Sequence, residues 1–304
     1  MKIVFSSDYT VSNCRHIFRT DKFSAVLKLL LEEGLVTKKE IIEPKPPSRA
    51  DLMLAHTPAW VDKNLRFKFT PLDSARAELD ITRGVARAHL MNVGGTIAAA
   101  RLALETGLGI NCGGGSHHAF KGHGEGFCLL NDVAVAVKKL QAEKSIKRAL
   151  IVDLDVHQGN GTASVFKKDK NIFTFSMHQR DIYPKVREKS SFDLELPAGT
   201  GDAEYLKILR NILPEIFNKA RADVVVYNSG ADIYEHDMLG GLKLTMAGVA
   251  ARDKMVFSEC FGRKTPVILV LSGGYARKFS DTVRLHANTI ITAVALWKNI
   301  GLKT

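Results

Sequence analysis

The chain has 304 residues, of which 45% are hydrophobic and 25% are charged, so it can bury a large core, and we predict one domain over residues 1–304. It contains no apolar run long enough to span a membrane and no visible signal peptide, which predicts a cytoplasmic protein without membrane contact. The net charge of +11 comes without a basic tail or a groove-reading motif, so we predict no specific nucleic acid binding.

Short apolar runs alternate with amphipathic segments, the pattern of parallel strands joined by crossover helices. In chain order the predicted elements are strand 2–5, helix 21–33, helix 83–106, strand 108–111, helix 132–143, strand 149–154, strand 172–176, helix 204–220, strand 224–227, helix 245–259, strand 267–271 and helix 281–297. The proline-rich segment 42–48 is predicted to be a surface connection. Because several strands are continuously apolar, we predict an α/β fold of three layers, with helices on both faces of a mainly parallel sheet.

The four cysteines, Cys14, Cys112, Cys128 and Cys260, are scattered without Cys-x-x-Cys spacing. A disulfide framework or a thiolate zinc cluster would need paired spacings. We therefore predict that all four are reduced thiols.

Polar side chains follow four of the predicted strands. In chain order they are His117 and His118, then Asp153, Asp155 and His157, then Asp232, then Tyr275. In an open parallel sheet, ligands bind beyond the carboxyl ends of the strands, so we expect these four loops to meet in one pocket.

Asp155, His157 and Asp232 make a plausible three-ligand metal site that leaves positions open for water and substrate. Two carboxylates weaken such a metal as a Lewis acid, so an additional hydrogen-bond donor is needed at the developing oxyanion. We assign that role to the phenol of Tyr275, a contribution often worth roughly 3 kcal/mol.

The adjacent histidines suit proton transfer, because an attacking water must lose a proton and a leaving amine must gain one. We assign the proton shuttle to His118 and electrostatic stabilisation to His117. Asp153 and Asn160 are the expected partners behind them, one for each imidazole. The difference in charge between these partners would keep the two histidines at different proton affinities.

Each of these residues has an ordinary explanation when taken alone. An aspartate after a strand, such as Asp232, is usually a helix cap or turn former, and a histidine pair is usually a solvated loop. The glycine run 113–115 resembles a phosphate cradle, but no Lys-Ser/Thr follows it. The combination of motifs favours catalysis over these readings.

The motifs resemble those of the zinc-dependent histone deacetylase family, whose fold is shared with arginase. The matching blocks are GGGSHH at 113–118, GEGFCLLND at 124–132, DLDVHQGNGT at 153–162, NSGAD at 228–232 and SGGY at 272–275. In more detail, the sequence resembles the class IV branch and its bacterial relatives. The motifs that carry this resemblance are HQGN at 157–160, RDIYP at 180–184, VVVYN at 224–228 and LGGL at 239–242. Class I members carry His-Gly-Asp where this chain has Gln158, Gly159 and Asn160, so His118 faces an uncharged partner, which should lower its proton affinity.

The resemblance implies a role for each matching residue. It implies zinc ligands at Asp155, His157 and Asp232, the catalytic histidine pair at His117 and His118, and the oxyanion tyrosine at Tyr275. It implies a narrow acyl-lysine channel at Gly126, Phe127 and Tyr183, and a structural potassium ion at Asp153, Asp155, His157, Ser176 and Met177. Iron(II) or cobalt would also suit a site with one nitrogen and two oxygens. For Phe127, plain core packing is the alternative.

We therefore predict a metal-dependent amidohydrolase that removes acetyl or longer acyl groups from the ε-amine of lysine in proteins or peptides. An acylpolyamine amidohydrolase, acting on a small acylated amine, would use the same groups. An arginase-like ureohydrolase would need a second metal cluster and gives no reason for Tyr275. A non-catalytic acyl-lysine binding protein is the remaining alternative, although it would not need the complete set of catalytic groups. The family name does not make histones the substrate.

Overall fold

A six-stranded parallel sheet forms the centre of the fold. The computed structural model describes residues 1–11 and 16–299, and in them the strands are β1 (Ile3–Val4), β2 (Ile41–Ile42), β3 (Leu108–Ile110), β4 (Ala149–Asp153), β5 (Ile172–Gln179), β6 (Phe192–Leu196), β7 (Val224–Asn228) and β8 (Val267–Val270). The strand order in the sheet is β3-β8-β7-β4-β5-β6, and every neighbouring pair runs parallel. The carboxyl ends of β3, β4, β7 and β8 therefore point to the same edge.

Five of the six predicted strands lie in this sheet. The sixth, predicted over 2–5, is shorter and pairs with β2 in a separate two-stranded parallel sheet. Because Ile42 belongs to β2, the first residue of the segment predicted as a surface connection, 42–48, is instead part of a strand. Strand β6 was not predicted. It lies at the edge of the sheet beside β5, and Asp193 and Glu195 alternate with its apolar residues, as charges often do on edge strands.

The described residues contain ten α-helices: α1 (Asp21–Glu32), α2 (Arg49–Met53), α3 (Pro58–Leu65), α4 (Pro71–Ala77), α5 (Arg83–Thr106), α6 (Asp132–Ala142), α7 (Asn160–Phe166), α8 (Asp202–Ala220), α9 (Met246–Gly262) and α10 (Phe279–Asn299). The six predicted helices correspond to α1, α5, α6, α8, α9 and α10. The short helices α2, α3, α4 and α7 were missed because they are too short for a clear apolar period. None of the helices described is long and apolar enough to cross a lipid bilayer.

Helices cover both faces of the sheet, as alternate residues of β4 demonstrate. Leu150 and Val152 belong to one apolar core and Ala149 and Ile151 to the other. The first core includes side chains of α1, α8, α9 and α10, and the second includes side chains of α3, α5, α6 and α7. The predicted three-layer α/β fold is confirmed.

Three of the four cysteines lie in the described part of the chain. Cys112, Cys128 and Cys260 are buried free thiols, while Cys14 lies outside the described residues. Burial raises the pKa of Cys112 and of Cys128 to about 12. These thiols are therefore protonated and poor nucleophiles near neutral pH.

Candidate active site

The loops after β3, β4, β7 and β8 surround a pocket of about 180 Å³. Its lining includes His117, His118, Gly126, Phe127, Asp155, His157, Tyr183 and Tyr275. The predicted residues Asp153, Asn160 and Asp232 do not line the pocket and are buried against these side chains. The fold thus brings together residues that are far apart in the sequence.

Asp155, His157 and Asp232 form a cluster that fits a metal ion. One ligand atom from each lies within 4.8 Å of the others, and all three side chains are buried. His157 Nδ1 is 3.1 Å from Asp155 Oδ1 and 3.4 Å from Asp232 Oδ2. Asp232 Oδ2 has no hydrogen-bond partner among the residues described. A buried carboxylate oxygen without a partner is costly, so a cation that it could bind would stabilise the site.

Neighbouring loops hold the two carboxylates in place. Asp155 Oδ2 accepts hydrogen bonds from Ser272 Oγ and from the backbone N–H of Gly273, both at 3.0 Å. Asp232 Oδ1 accepts one from the backbone N–H of Val156 at 2.9 Å. A side chain at Gly273 would overlap both carboxylates, which explains why glycine stands there. Ser272, in the same SGGY block as the predicted tyrosine, is a positioning residue that the sequence analysis missed.

The electrostatics of the cluster favour a positive charge. Burial, followed by the charge of Asp155, raises the pKa of Asp232 to about 7. Burial alone would lower the pKa of His157, but its interactions with Asp155 and Asp232 outweigh burial and raise that pKa to about 10. The carboxylates therefore attract a proton to the same position where a cation would bind.

The two adjacent histidines have different partners. His117 Nδ1 is 2.7 Å from Asp153 Oδ2, and His118 Nδ1 is 2.7 Å from Asn160 Oδ1. The centres of the two imidazole rings are 4.1 Å apart. Asn228, which was not predicted, donates from Nδ2 to Asp153 Oδ1 at 2.9 Å and so orients that carboxylate. It ends β7 and lies in the NSGAD block, but the sequence analysis gave it no role.

The proton affinities of the pair diverge. Burial would lower the pKa of His117, but the charges of Asp153 and Asp155 outweigh it and raise the pKa to about 9. For His118, burial followed by the positive charges of His117 and His157 holds the pKa well below its usual value. One imidazole is thus suited to carry a charge and the other to accept a proton.

Tyr275 is buried at the pocket. Burial, followed by the charges of Asp232 and Asp155, holds its pKa well above the usual value, so its hydroxyl stays protonated. Its backbone N–H donates to Asp237 Oδ2 at 2.7 Å. The other oxygen of Asp237 accepts from the backbone N–H groups of Leu239 and Gly240. Asp237, which was not predicted, therefore joins the tyrosine loop to the pocket rim.

The predicted channel residues form walls of the pocket. Gly126 has a φ of +50°, and a Cβ there would lie 2.6 Å from His118 Cδ2 and 2.8 Å from Tyr183 Cε1. Phe127 is half-buried and packs against the second apolar core, and its ring meets Tyr275 edge-on at 6.2 Å. Tyr183 meets His118 edge-on at 4.9 Å. Phe18, which was not predicted, also lines the pocket and stacks on Phe127.

The residues predicted for a potassium ion lie on adjacent strands. Ser176 on β5 is in register with Asp153 on β4, and Met177 follows it along β5. Ser176 Oγ is 2.9 Å from His178 Nδ1. Asp153, Ser176 and Met177 are all buried, and Asp153 lies two residues before Asp155 of the candidate metal cluster.

Comparisons with known proteins give a family match over most of the chain. The family described as the histone deacetylase domain matches residues 16–290. An uncharacterised protein of Picosynechococcus sp. is 42% identical over 94% of this chain and 95% of its own length. Histone deacetylase 2 of Arabidopsis thaliana is 32% identical over 93% of this chain and 78% of its own length. A crystal structure of the HDA15 HD domain matches with a TM-score of 0.78 and 23% identity, covering 98% of this chain and 91% of that one, and shares the fold.

Proposed function

Because this chain belongs to the histone deacetylase family, we propose that it is an amidohydrolase that removes acetyl or longer acyl groups from the ε-amine of lysine in proteins or peptides. The observation that supports the proposal most strongly is one pocket lined by both histidines, the tyrosine and two members of the Asp-His-Asp cluster. We also propose that the chain falls in the class IV branch, on the motifs given above, and that it acts in the cytoplasm.

We propose that Asp155, His157 and Asp232 hold a zinc ion, with iron(II) or cobalt as alternatives for the same donors. Such an ion, when bound, polarises the acyl carbonyl and lowers the pKa of a water molecule. The unpartnered Asp232 Oδ2 and the raised pKa of His157 both support a cation at this position.

The histidines would divide the proton transfers between them. His118 has its Nδ1 engaged by Asn160 and a low proton affinity, so its Nε2 suits a base that takes a proton from water. The same nitrogen would return that proton to the leaving lysine amine. His117, with its pKa raised by Asp153, would carry positive charge and stabilise the negative transition state.

Tyr275 would donate a hydrogen bond to the oxygen that becomes negative when the carbonyl is attacked. Its high pKa keeps the donor proton in place over the working pH range. Removing one such donor typically costs about 10²- to 10³-fold in kcat.

The channel walls support an acylated, uncharged substrate stem. Gly126, Phe127 and Tyr183 provide a narrow and largely apolar passage, with Phe18 and Leu239 also lining the pocket. An acyl-lysine side chain fits this chemistry because its amide is neutral and its stem is aliphatic.

We further propose a structural potassium ion bound by Asp153, Asp155, His157, Ser176 and Met177, mostly through backbone carbonyls. The register of β4 and β5 supports this grouping, because it sets Ser176 beside Asp153.

The function is tested with lysine peptides that carry acyl chains of increasing length, together with acetyl-spermidine, each assayed with zinc, iron(II) and cobalt. We expect turnover of acyl-lysine peptides. In Tyr275→Phe we expect kcat to fall by about 10²- to 10³-fold, with the metal content unchanged by elemental analysis.

Other outcomes would identify another function. Turnover of acetyl-spermidine alone would indicate an acylpolyamine amidohydrolase. Binding of acyl-lysine peptides without turnover by the metal-loaded protein would indicate a non-catalytic binding protein. Equal activity of Tyr275→Phe and the unmodified chain would contradict the role of the tyrosine.

A further inference from the structure

Glu125 directly precedes the pocket-lining residue Gly126 and has three polar partners. Its Oε1 accepts hydrogen bonds from Asn160 Nδ2 at 2.9 Å and from Tyr183 OH at 3.1 Å. Its Oε2 is 3.5 Å from His123 Nε2. The carboxylate is thus linked both to the residue behind His118 and to a wall of the channel. The catalytic scheme above gives it no role.

These contacts determine which way the amide of Asn160 faces. A carboxylate can only accept hydrogen bonds, so the NH₂ group of Asn160 must face Glu125. At its other end, Asn160 Oδ1 accepts from the backbone N–H of Gly161 at 3.0 Å. Both contacts set the amide oxygen toward His118.

The orientation of the amide in turn determines the tautomer of His118. An amide oxygen cannot donate, so the 2.7 Å contact with Asn160 Oδ1 requires a hydrogen on His118 Nδ1. The lone pair of a neutral imidazole is then on Nε2. If the amide were reversed, its NH₂ group would face Nδ1, and the imidazole would need the opposite tautomer.

We propose that Glu125 is a positioning residue that selects the Nδ1–H tautomer of His118 by orienting Asn160. The importance of this tautomer for catalysis rests on the proposed function, in which His118 is the base and takes the proton from water with a free Nε2. The sequence around Glu125 matches the family block, yet its contacts could not be read from that block.

The bond to Tyr183 links the same carboxylate to the channel. The hydroxyl of Tyr183 donates to the oxygen that also accepts from Asn160, and its ring packs edge-on against His118. Glu125 therefore holds two groups that each contact the proposed base. The hydroxyl can be removed separately from the carboxylate, which separates the two effects experimentally.

The test measures the tautomer directly by ¹⁵N NMR of histidine-labelled, zinc-loaded protein without substrate. We expect the unmodified chain to show Nδ1–H at His118. Glu125→Ala should show a mixture of tautomers or Nε2–H, and a fall in kcat of about 10-fold or more with a small change in KM. Glu125→Gln should restore the Nδ1–H tautomer, because its amide oxygen can still accept from Asn160.

Tyr183→Phe is the matched control, because it removes the other bond to Glu125 and leaves Asn160 engaged. It should keep the Nδ1–H tautomer. Retention of pure Nδ1–H in Glu125→Ala and in the second truncation Glu125→Ser would overturn the proposal. Because the tautomer is read without substrate, a protein that hydrolyses no acyl-lysine would contradict the proposed function while leaving this result intact.

Discussion

The two histidines have partners of nearly the same shape but different charge. Asp153 and Asn160 each set one side-chain oxygen 2.7 Å from Nδ1 of an imidazole. The geometry of the two pairs is therefore matched, and the charge of the partner is the variable. An adjacent carboxylate stabilises the imidazolium, whereas an amide does so much less.

The first prediction exchanges this charge. Asn160→Asp would set a carboxylate against His118 and raise its pKa by about 1 to 3 units. Because a base must be unprotonated to act, the acid limb of the kcat/KM profile should move to higher pH by a similar amount. A pH-rate profile of the variant measures the shift.

The control for this exchange concerns the neighbouring charge of Glu125. One oxygen of Glu125 lies 2.9 Å from the amide nitrogen of Asn160, so it would repel a carboxylate placed at position 160. Glu125→Gln in the same chain removes that repulsion, and we expect the double variant to show the shift more fully. An unchanged profile in both variants would contradict the charge argument.

His56 connects two segments that flank the channel loop. Its Nδ1 is 3.0 Å from the carbonyl of Phe120, and its Nε2 accepts from the backbone N–H of Asn131 at 3.0 Å. Residues 121–130, with Glu125 and Phe127, lie between these contacts. A protonated imidazole could not accept from Asn131, and burial lowers the pKa of His56 to about 4.

The second prediction follows from this pKa. Between pH 6.5 and pH 4 the unfolded chain binds a proton at His56 that the folded chain does not, so the free energy of unfolding falls as the pH falls. From pH 7 to pH 5 the histidine should account for a loss of about 2 kcal/mol. Urea unfolding at both pH values measures this loss.

His56→Gln is the reference for this measurement, because its side chain does not titrate. His89 and His178, whose pKa values burial also lowers to about 4, are present in both proteins and cancel in the comparison. A variant that loses as much stability as the unmodified chain would show that His56 does not contribute.

Helix α9 carries a fully buried ion pair beneath the loops of the candidate metal site. Arg252 Nη2 is 2.7 Å from Asp253 Oδ1, and Arg252 Nη1 donates to the carbonyl of Gly230 at 2.6 Å. Asp253 also accepts hydrogen bonds from Tyr227 OH and Thr289 Oγ1. Removing one charge would leave the other buried without its partner.

The third prediction concerns this pair. Arg252→Met should lower the free energy of unfolding by about 3 to 5 kcal/mol, because it leaves the charge of Asp253 uncompensated. Chemical unfolding of Arg252→Met, Asp253→Asn and the double variant forms a double-mutant cycle. We expect the double variant to lose less than the sum of the single losses, and strict additivity would argue against a coupled pair.

Elements with a local signal could be predicted, and elements defined by their neighbours could not. Helix α5 was predicted residue for residue, and Thr82 and Gly107 cap its two ends. Short helix α4 was missed, although the capping box of Thr70 and Asp73 is a signal that could have found it. Strand β6 carries only a short alternation of Asp193 and Glu195 with apolar residues, and its pairing with β5 makes it a strand.

The same distinction applies to the candidate site. The spacing of Asp155 and His157 and the glycines before His117 are local patterns, and the structure brings these residues to one pocket. Asn228 and Arg252 act through contacts with residues distant in the chain, at 2.9 Å to Asp153 and 2.6 Å to Gly230. No spacing within the sequence encodes such contacts.

At the scale of the whole molecule, the proposed metal site lies at the middle of the sheet. Strands β7 and β4 are the two central strands of six, and Asp232 and Asp155 follow them. Without a cation, two buried carboxylates repel each other, which is one cause of the raised pKa of Asp232. A bound cation would therefore hold together the two loops that join the centre of the sheet to the pocket.

The last prediction follows from this position. Zinc at 100 times its dissociation constant should stabilise the folded protein by about 2.7 kcal/mol, because it binds the folded chain and not the unfolded one. Removal of the metal with a chelator should reverse this gain, measured as a lower midpoint of thermal unfolding. Asp232→Asn removes one ligand and one of the repelling charges, so its stability should not respond to zinc and should equal or exceed that of the chelated unmodified chain. A variant that gains as much stability from zinc as the unmodified chain would locate the ion elsewhere.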